Sequence, residues 1–138
     1  MSVTDVIAHG VQGIAQLREI NEMLPVFEGQ AVSFSILGGE VITFAYRDGR
    51  LLLERGQSSD VKGAAEVSMV DFISFINGKR EFPGLFTHEF PHYFKPTVGE
   101  YYDFGGDFML MGPVYDGLSR LYRSDPAFQK LIDSLGSY

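Results

Sequence analysis

The chain of 138 residues contains no cysteine and no tryptophan, and its basic side chains are few. Without cysteine it can form no disulfide, no thiolate nucleophile and no cysteine-ligated metal site, a composition that suits a reducing compartment. Its 11 Lys and Arg residues are outnumbered by 18 Asp and Glu residues, which gives a formal net charge of -7. Because this charge would repel the phosphate backbone of a nucleic acid, we expect no nucleic-acid partner.

Long apolar runs are also missing. No stretch approaches the ~20 residues that cross a bilayer, and the amino terminus lacks the basic cluster and apolar core of a secretory signal. We therefore expect a cytoplasmic protein with no integral membrane segment. The 45% hydrophobic and 21% charged residues are typical of a globular protein, and the length suits one domain over residues 1–138.

Phenylalanine is the abundant residue type, since the chain has 12 Phe and 7 Tyr. Eight of these aromatics lie in residues 81–106, together with three prolines that interrupt regular structure. We name this stretch the aromatic segment and predict a long loop there. Long loops inside compact domains are commonly lids or binding segments.

The first half of the chain predicts a helix followed by a sheet. Apolar residues recur every three or four positions over residues 3–24, the spacing of one helical face. Three runs rich in β-forming residues follow, and Gly38-Gly39 and Asp48-Gly49 between them favour hairpin turns. Apolar and polar residues alternate in the first two runs, so one face of the sheet should be covered. The predicted strands of this antiparallel meander are residues 31–37, 41–47 and 50–55.

A fourth predicted strand, residues 64–69, runs into the clearest helix signal of the chain. Ser68, with Asp71 three residues later, resembles a capping box with a shorter acid, and apolar residues follow at helical spacing. Gly78 is placed to end this helix. Beyond the aromatic segment, the pattern predicts one more strand and two helices, at residues 107–111, 113–122 and 126–135.

This order of elements resembles the sterol carrier protein type 2 family of small lipid-binding domains. The resemblance covers about residues 30–122 and is one of spacing and residue class. It is carried by Val32-Ser-Phe-Ser-Ile36, by the strand that leads through Ser68 into a helix ending in Gly78-Lys79, and by the run from Gly106 to Gly112.

The resemblance implies an α/β (α+β) fold with a five-stranded, mostly antiparallel sheet covered by helices. It also implies an apolar tunnel between sheet and helices that holds a fatty acyl chain, a sterol or a phospholipid, without covalent chemistry. In the family the last strand follows soon after the helix that ends in Gly-Lys. The aromatic segment interrupts that order here, and this departure leaves the identity of the ligand open.

The run His88-Glu89-Phe90-Pro91-His92 matches the H-E-x-x-H motif of zinc proteases. That chemistry needs a continuous helix, because only the i, i+4 spacing places both imidazoles on one metal. Pro91 disfavours helical geometry at Phe90. We therefore expect no enzyme activity, no catalytic residue and no cofactor, and His88 and His92 are only weak metal candidates.

We predict a carrier that holds a hydrophobic small molecule in an apolar tunnel, with His88, Tyr101 and Tyr102 at its mouth. The alternative is a non-catalytic interaction or regulatory module with a filled tunnel, which self-associates through an aromatic face and leaves a homodimer open. A metal-dependent hydrolase that uses the His88 to His92 run is a weaker alternative. The predicted ligand-binding side chains are Phe34, Phe44, Phe75, Phe82, Phe86, Phe90, Tyr101, Tyr102, Phe104, Met109, Met111 and Leu118.

Overall fold

The computed structural model describes residues 2–80, 92–99 and 108–135. These residues form five α-helices, one short 3₁₀ helix and a five-stranded sheet. The elements in chain order are α1 (Val3–Ile14), α2 (Arg18–Met23), the 3₁₀ helix (Leu24–Phe27), β1 (Ala31–Ile36), β2 (Val41–Arg47), β3 (Arg50–Arg55), β4 (Gly63–Val67), α3 (Met69–Ser74), β5 (Phe94–Val98), α4 (Met111–Ser124) and α5 (Pro126–Leu135).

The sheet has the strand order β3-β2-β1-β4-β5. The β1 and β4 strands run parallel, and every other neighbouring pair is antiparallel, which confirms the predicted fold class. Asp48 and Gly49 both adopt positive φ, 54° and 72°, as a two-residue hairpin turn requires. The turn around Gly38 is longer, because β1 ends at Ile36 and β2 begins at Val41.

The hydrophobic core lies between one face of the sheet and the helices. Register places Val32 opposite Phe44 and Phe34 opposite Ile42, so the apolar sets of β1 and β2 share a face. The Phe34 ring contacts Phe72 of α3, with ring centroids 5.3 Å apart, and the ring of Tyr115 of α4, at 6.4 Å. The alternation predicted from the sequence is therefore the surface on which the helices pack.

The prediction of one continuous helix over residues 3–24 is wrong. The first helix ends at Ile14, and a second helix starts at Arg18. The side-chain amide of Asn21 donates to the carbonyl oxygens of Ile14, Ala15 and Leu17. The Ile14 and Leu17 carbonyls also accept from the backbone N–H groups of Leu17 and Asn21, so the acceptors at the bend between the two helices are satisfied.

The predicted last strand at residues 107–111 is also wrong in the part that the structure describes. Residues 108–110 form a turn, and Met111 already belongs to α4. A short, fully buried apolar run does not distinguish strand from helix by its periodicity. The fifth strand is instead Phe94–Val98, within the aromatic segment. It lies at the edge of the sheet, where Pro96 can occupy a strand because its missing N–H removes no interior ladder bond.

Two helix signals are confirmed. The Ser68 hydroxyl accepts a hydrogen bond from the Asp71 N–H at the start of α3, as a cap should. The last helix spans Pro126–Leu135 as predicted, and one oxygen of the Asp125 carboxylate accepts from the N–H groups of Ala127 and Phe128.

Candidate functional site

A cavity of about 340 Å³ lies between the turn that follows α3 and one face of α4. Its volume falls at the lower end of the range of small-molecule sites. The described residues that line it combine two aromatic rings with a polar and mostly cationic set. They are Phe75, Gly78, Arg80, Tyr115, Asp116, Ser119 and Arg123.

Helical spacing brings the α4 residues to the cavity. Tyr115, Ser119 and Arg123 follow one another at intervals of four, so their side chains lie along one face of the helix. On the opposite side, Gly78 adopts a φ of 83°, a conformation that L side chains rarely take. The chain turns there, and the Arg80 N–H donates to the carbonyl of Ser74 at 2.9 Å. This turn carries Arg80 back to the end of α3.

The aromatic wall of the cavity continues into the core. The rings of Phe75 and Tyr115 lie 5.1 Å apart between centroids, with only 4% and 2% of the two residues exposed. Tyr115 also contacts the Phe72 ring at 6.0 Å. Burial raises the pKa of the Tyr115 phenol, so it stays neutral at physiological pH.

Three of the described lining residues carry a charge, namely Arg80, Asp116 and Arg123. The guanidinium of Arg123 donates to the Ser119 hydroxyl at 2.8 Å. Within the described ranges, no carboxylate forms an ion pair with Arg123. The carboxylate of Asp116 is already engaged, since Arg120 donates to both of its oxygens at 3.3 Å. Hydrogen bonds from Arg120 to Glu19 and to Asp116 raise the pKa of the Arg120 guanidinium, which keeps this pairing charged.

A second polar feature fixes the end of the aromatic segment. Asp71 is 1% exposed, and one of its oxygens accepts from the Ser68 hydroxyl and from the N–H groups of His92 and Tyr93, at 2.9, 3.1 and 2.6 Å. The sequence predicts Asp71 only as a helix-capping acid. It does not predict that Asp71 holds the chain entering β5, because the bonding partners are about twenty residues away in the sequence.

The structure places the predicted ligand-binding residues in three groups. Phe75 lines the cavity. Phe34, Phe44, Met111 and Leu118 are buried in the core, and Met109 is half-buried in the turn before α4. The remaining predicted positions lie outside the described residues, so the full set stays a prediction. Those positions are Phe82, Phe86, Phe90, Tyr101, Tyr102 and Phe104, with His88 among the mouth and metal candidates.

The sequence does not predict several of the cavity residues. The spacing of four residues predicts that Tyr115, Ser119 and Arg123 share a helix face. Nothing in the sequence shows that this face contacts the turn after α3. For Arg80 the sequence indicates only a charge that complements the helix dipole. His92, the described member of the H-E-x-x-H match, is exposed, and its backbone N–H is bonded to Asp71.

Comparison with known proteins defines the class of fold. No protein-family model and no curated protein matches the chain. A solved structure does: the solution structure of a conserved hypothetical protein from Thermus thermophilus, described as a candidate sterol carrier protein. The two share 8% identity, with a TM-score of 0.59 over 88% of this chain and 89% of that chain. The two proteins therefore share a fold. In the described ranges, no helix is long and apolar enough to cross a membrane.

Proposed function

We propose that the protein is a non-enzymatic carrier that binds a hydrophobic small molecule in the cavity between α3 and α4. The observation that carries this proposal is the aromatic wall, in which the Phe75 and Tyr115 rings extend from the cavity into the core. Burial of apolar ligand surface on such a wall stabilises a complex by ~25 cal/mol per Å². The sterol-carrier-like fold supports the same function.

The division of the cavity into an aromatic wall and a polar rim suits an amphipathic ligand. Small-molecule sites are mostly apolar, with a few polar groups that fix the orientation of the ligand. Here the rings of Phe75 and Tyr115 supply the apolar contact, while Ser119 and Arg123 lie toward the carboxyl end of α4. The binding we propose needs no general acid, nucleophile or metal.

Native mass spectrometry of freshly purified protein tests the proposal, followed by titration of the delipidated protein with a fluorescent hydrophobic probe. The chain has no tryptophan, so probe fluorescence is free of that background. The Ser119→Leu variant should place a branched side chain in the cavity and weaken probe binding at least about tenfold. Its matched control is Ser124→Leu, at an exposed position of the same helix, which should bind the probe as wild type does. Equal binding by both variants would contradict the proposed site.

The alternative of an interaction module with a filled interior has two observations in its favour. Phe34, Phe44 and Leu118 are fully buried against their neighbours, and apolar side chains such as Leu37 and Val70 are exposed. A module that self-associates would use such a surface. Sedimentation velocity separates the candidates: a carrier binds the probe as a monomer, whereas an interaction module forms a dimer and leaves the probe unbound.

A further inference from the structure

We infer that the edge strand β3 mediates a homodimer, in which it pairs in antiparallel orientation with β3 of a second copy of this chain. The pairing is centred on Leu52, so that Arg50 of each copy lies opposite Glu54 of the other. This surface is separate from the cavity between α3 and α4, because β2 and β1 lie between β3 and the strand β4 that precedes α3. The dimer is therefore independent of the proposed function.

The two edges of the sheet differ in how well they are protected against pairing. Natural proteins commonly block an edge strand with proline, with lysine or with a bulge. The β5 edge has all three features, since it contains Lys95 and Pro96 and its register with β4 is irregular beside Ala64. The β3 strand, which the structure describes in full, has none of them. It runs over six residues, Arg50–Arg55, in continuous register with β2.

Alternate residues of β3 present backbone groups to the outside of the sheet. The Gly56 N–H donates to the Val41 carbonyl at 2.8 Å, and hydrogen-bonded pairs alternate along an antiparallel ladder. The ladder with β2 therefore uses the backbone groups of Leu52, whereas those of Leu51 and Leu53 point away from β2. Within the described ranges, Leu51 and Leu53 make no further backbone hydrogen bond. A second strand can bond to them.

Charge selects one register for this second strand. When Leu51 bonds to Leu53 of the second copy, about four backbone hydrogen bonds join the two strands. The intervening pairs, whose side chains lie closer together, are then Leu52 with Leu52 and, on both sides, Arg50 with Glu54. The smallest shift that keeps the bonding groups matched is two residues. It would place a charged side chain opposite Leu52 and remove both ion pairs.

Arg50 lacks the partner that this register supplies. Its side chain is exposed and forms no ion pair with the described part of the chain. It lies opposite Arg47 in the ladder with β2, where like charges are destabilising. Arg47 donates to Glu54 and to Asp60. The Glu54 side chain is still 39% exposed, so its carboxylate can accept from Arg50 of a second copy as well.

The pairing surface is narrow, so the dimer is weak. Contact through a strand of six residues lies below the about 1,200 Å² of a standard interface, and the net charge of -7 repels a second copy. We expect a dissociation constant on the order of 0.1 mM. The chain is then a monomer at the micromolar concentrations of the probe titration and a dimer in concentrated solution.

Sedimentation equilibrium of the full chain, from about 10 µM to about 1 mM, tests the dimer. Wild type should dimerise as its concentration rises. Arg50→Glu should weaken the dimer at least about tenfold, because like charges then lie opposite each other. The matched control Arg18→Glu makes the same change of charge at an exposed position of α2 and should dimerise as wild type does.

A cysteine at the centre of the pairing tests the register without relying on charge. The chain has no cysteine, so Leu52→Cys introduces a single thiol. The Cα atoms of a non-hydrogen-bonded pair lie about 4.5 Å apart, which a disulfide spans. With glutathione disulfide as oxidant, Leu52→Cys should form a covalent dimer faster than Leu37→Cys, which has its thiol at an exposed position beyond β1.

Three results would overturn the inference. They are a wild-type chain that stays monomeric at about 1 mM, equal association of Arg50→Glu and Arg18→Glu, and equal rates of cross-linking at positions 52 and 37. Probe binding tests the carrier function separately, so a failure of the dimer leaves the proposed function in place.

Discussion

At the scale of single residues, glycine determines how closely the first helix approaches the last two. A Cβ atom at Gly10 would lie 2.5 Å from Leu118 Cδ2 and 2.8 Å from the Phe128 ring. Both distances are far shorter than real side-chain contacts. Glycine lowers helix propensity by about 1 kcal/mol relative to alanine. A glycine inside a helix therefore predicts that tertiary packing, and not helix propensity, stabilises this helix. The close approach of Leu118 and Phe128 to Gly10 identifies that packing.

We predict that Gly10→Ala lowers the free energy of unfolding by about 1 to 2 kcal/mol. Overpacking of a filled core costs about 1 to 3 kcal/mol, and the gain in helix propensity offsets part of it. Urea denaturation followed by circular dichroism measures the change. Gln12→Ala, at an exposed position of the same helix, should stay within about 0.5 kcal/mol of wild type. A stabilised Gly10→Ala variant would show that α1 can move away from α4 and α5 at no cost.

At the scale of elements, one buried carboxylate joins the start of α3 to the chain that enters β5. Asp71 accepts three hydrogen bonds on one oxygen, and the Ser68 N–H donates to the Tyr93 carbonyl at 3.0 Å beside it. Among the strands that the structure describes, the edge strand β5 pairs with β4 alone. Its position therefore depends on this junction as well as on its ladder with β4.

We predict that Asp71→Ala destabilises the protein by about 2 to 4 kcal/mol, because it leaves buried donors without an acceptor. Hydrogen exchange should show the largest loss of protection in the amides of β5, with a smaller loss in α1. Asp133→Ala removes an exposed acid that accepts one bond from Tyr122 and should cost less than about 1 kcal/mol. An equal loss of protection in every element would argue against a local junction.

The same scale shows which elements the sequence could predict. Asp48-Gly49 and Ser68 act through neighbours in the chain, so their turn and cap are predicted correctly. From the sequence, Pro96 predicts an interruption of regular structure. A strand accepts this proline because β5 lies at the edge of the sheet, and the position of a strand in the sheet depends on the whole fold. Of the cavity residues, Phe75 could be predicted from the sequence as a ligand-binding aromatic, because it follows the helix that begins after Ser68. The roles of Tyr115 and Arg123 are not predictable, because they depend on how α4 packs against the turn after α3.

At the scale of the whole molecule, a polar bridge fastens the amino-terminal end of α1 to the sheet. The Glu40 carboxylate accepts a hydrogen bond from the Thr4 hydroxyl and lies 3.3 Å from the Arg55 guanidinium, which also contacts Asp5. The hydrogen bond from Thr4, with a further contribution from Arg55, lowers the pKa of Glu40 below its usual value. Hydrogen bonding with Ser2, whose backbone N–H donates to the Asp5 carboxylate, similarly lowers the pKa of Asp5. Helix and sheet are thus joined through carboxylates that must be ionised.

This bridge predicts that stability is lost in acid. A carboxyl group whose pKa is lower in the folded state stabilises it above the unfolded pKa, near 4.5 for glutamate, and that stability is lost as pH falls through the folded pKa. Glu40→Gln should therefore be less stable than wild type by about 1 kcal/mol at neutral pH. The difference should shrink as the pH falls below about 4.5 and disappear once the pH lies below the pKa of Glu40 in the folded state. Urea denaturation across this pH range measures the difference in the free energy of unfolding.

Thr4→Val removes the donor and keeps the carboxylate. Its free energy of unfolding should differ from that of wild type by an amount that narrows over the same pH range. A difference that stays constant with pH for both variants would mean that the Thr4–Glu40 bond does not link proton binding to folding.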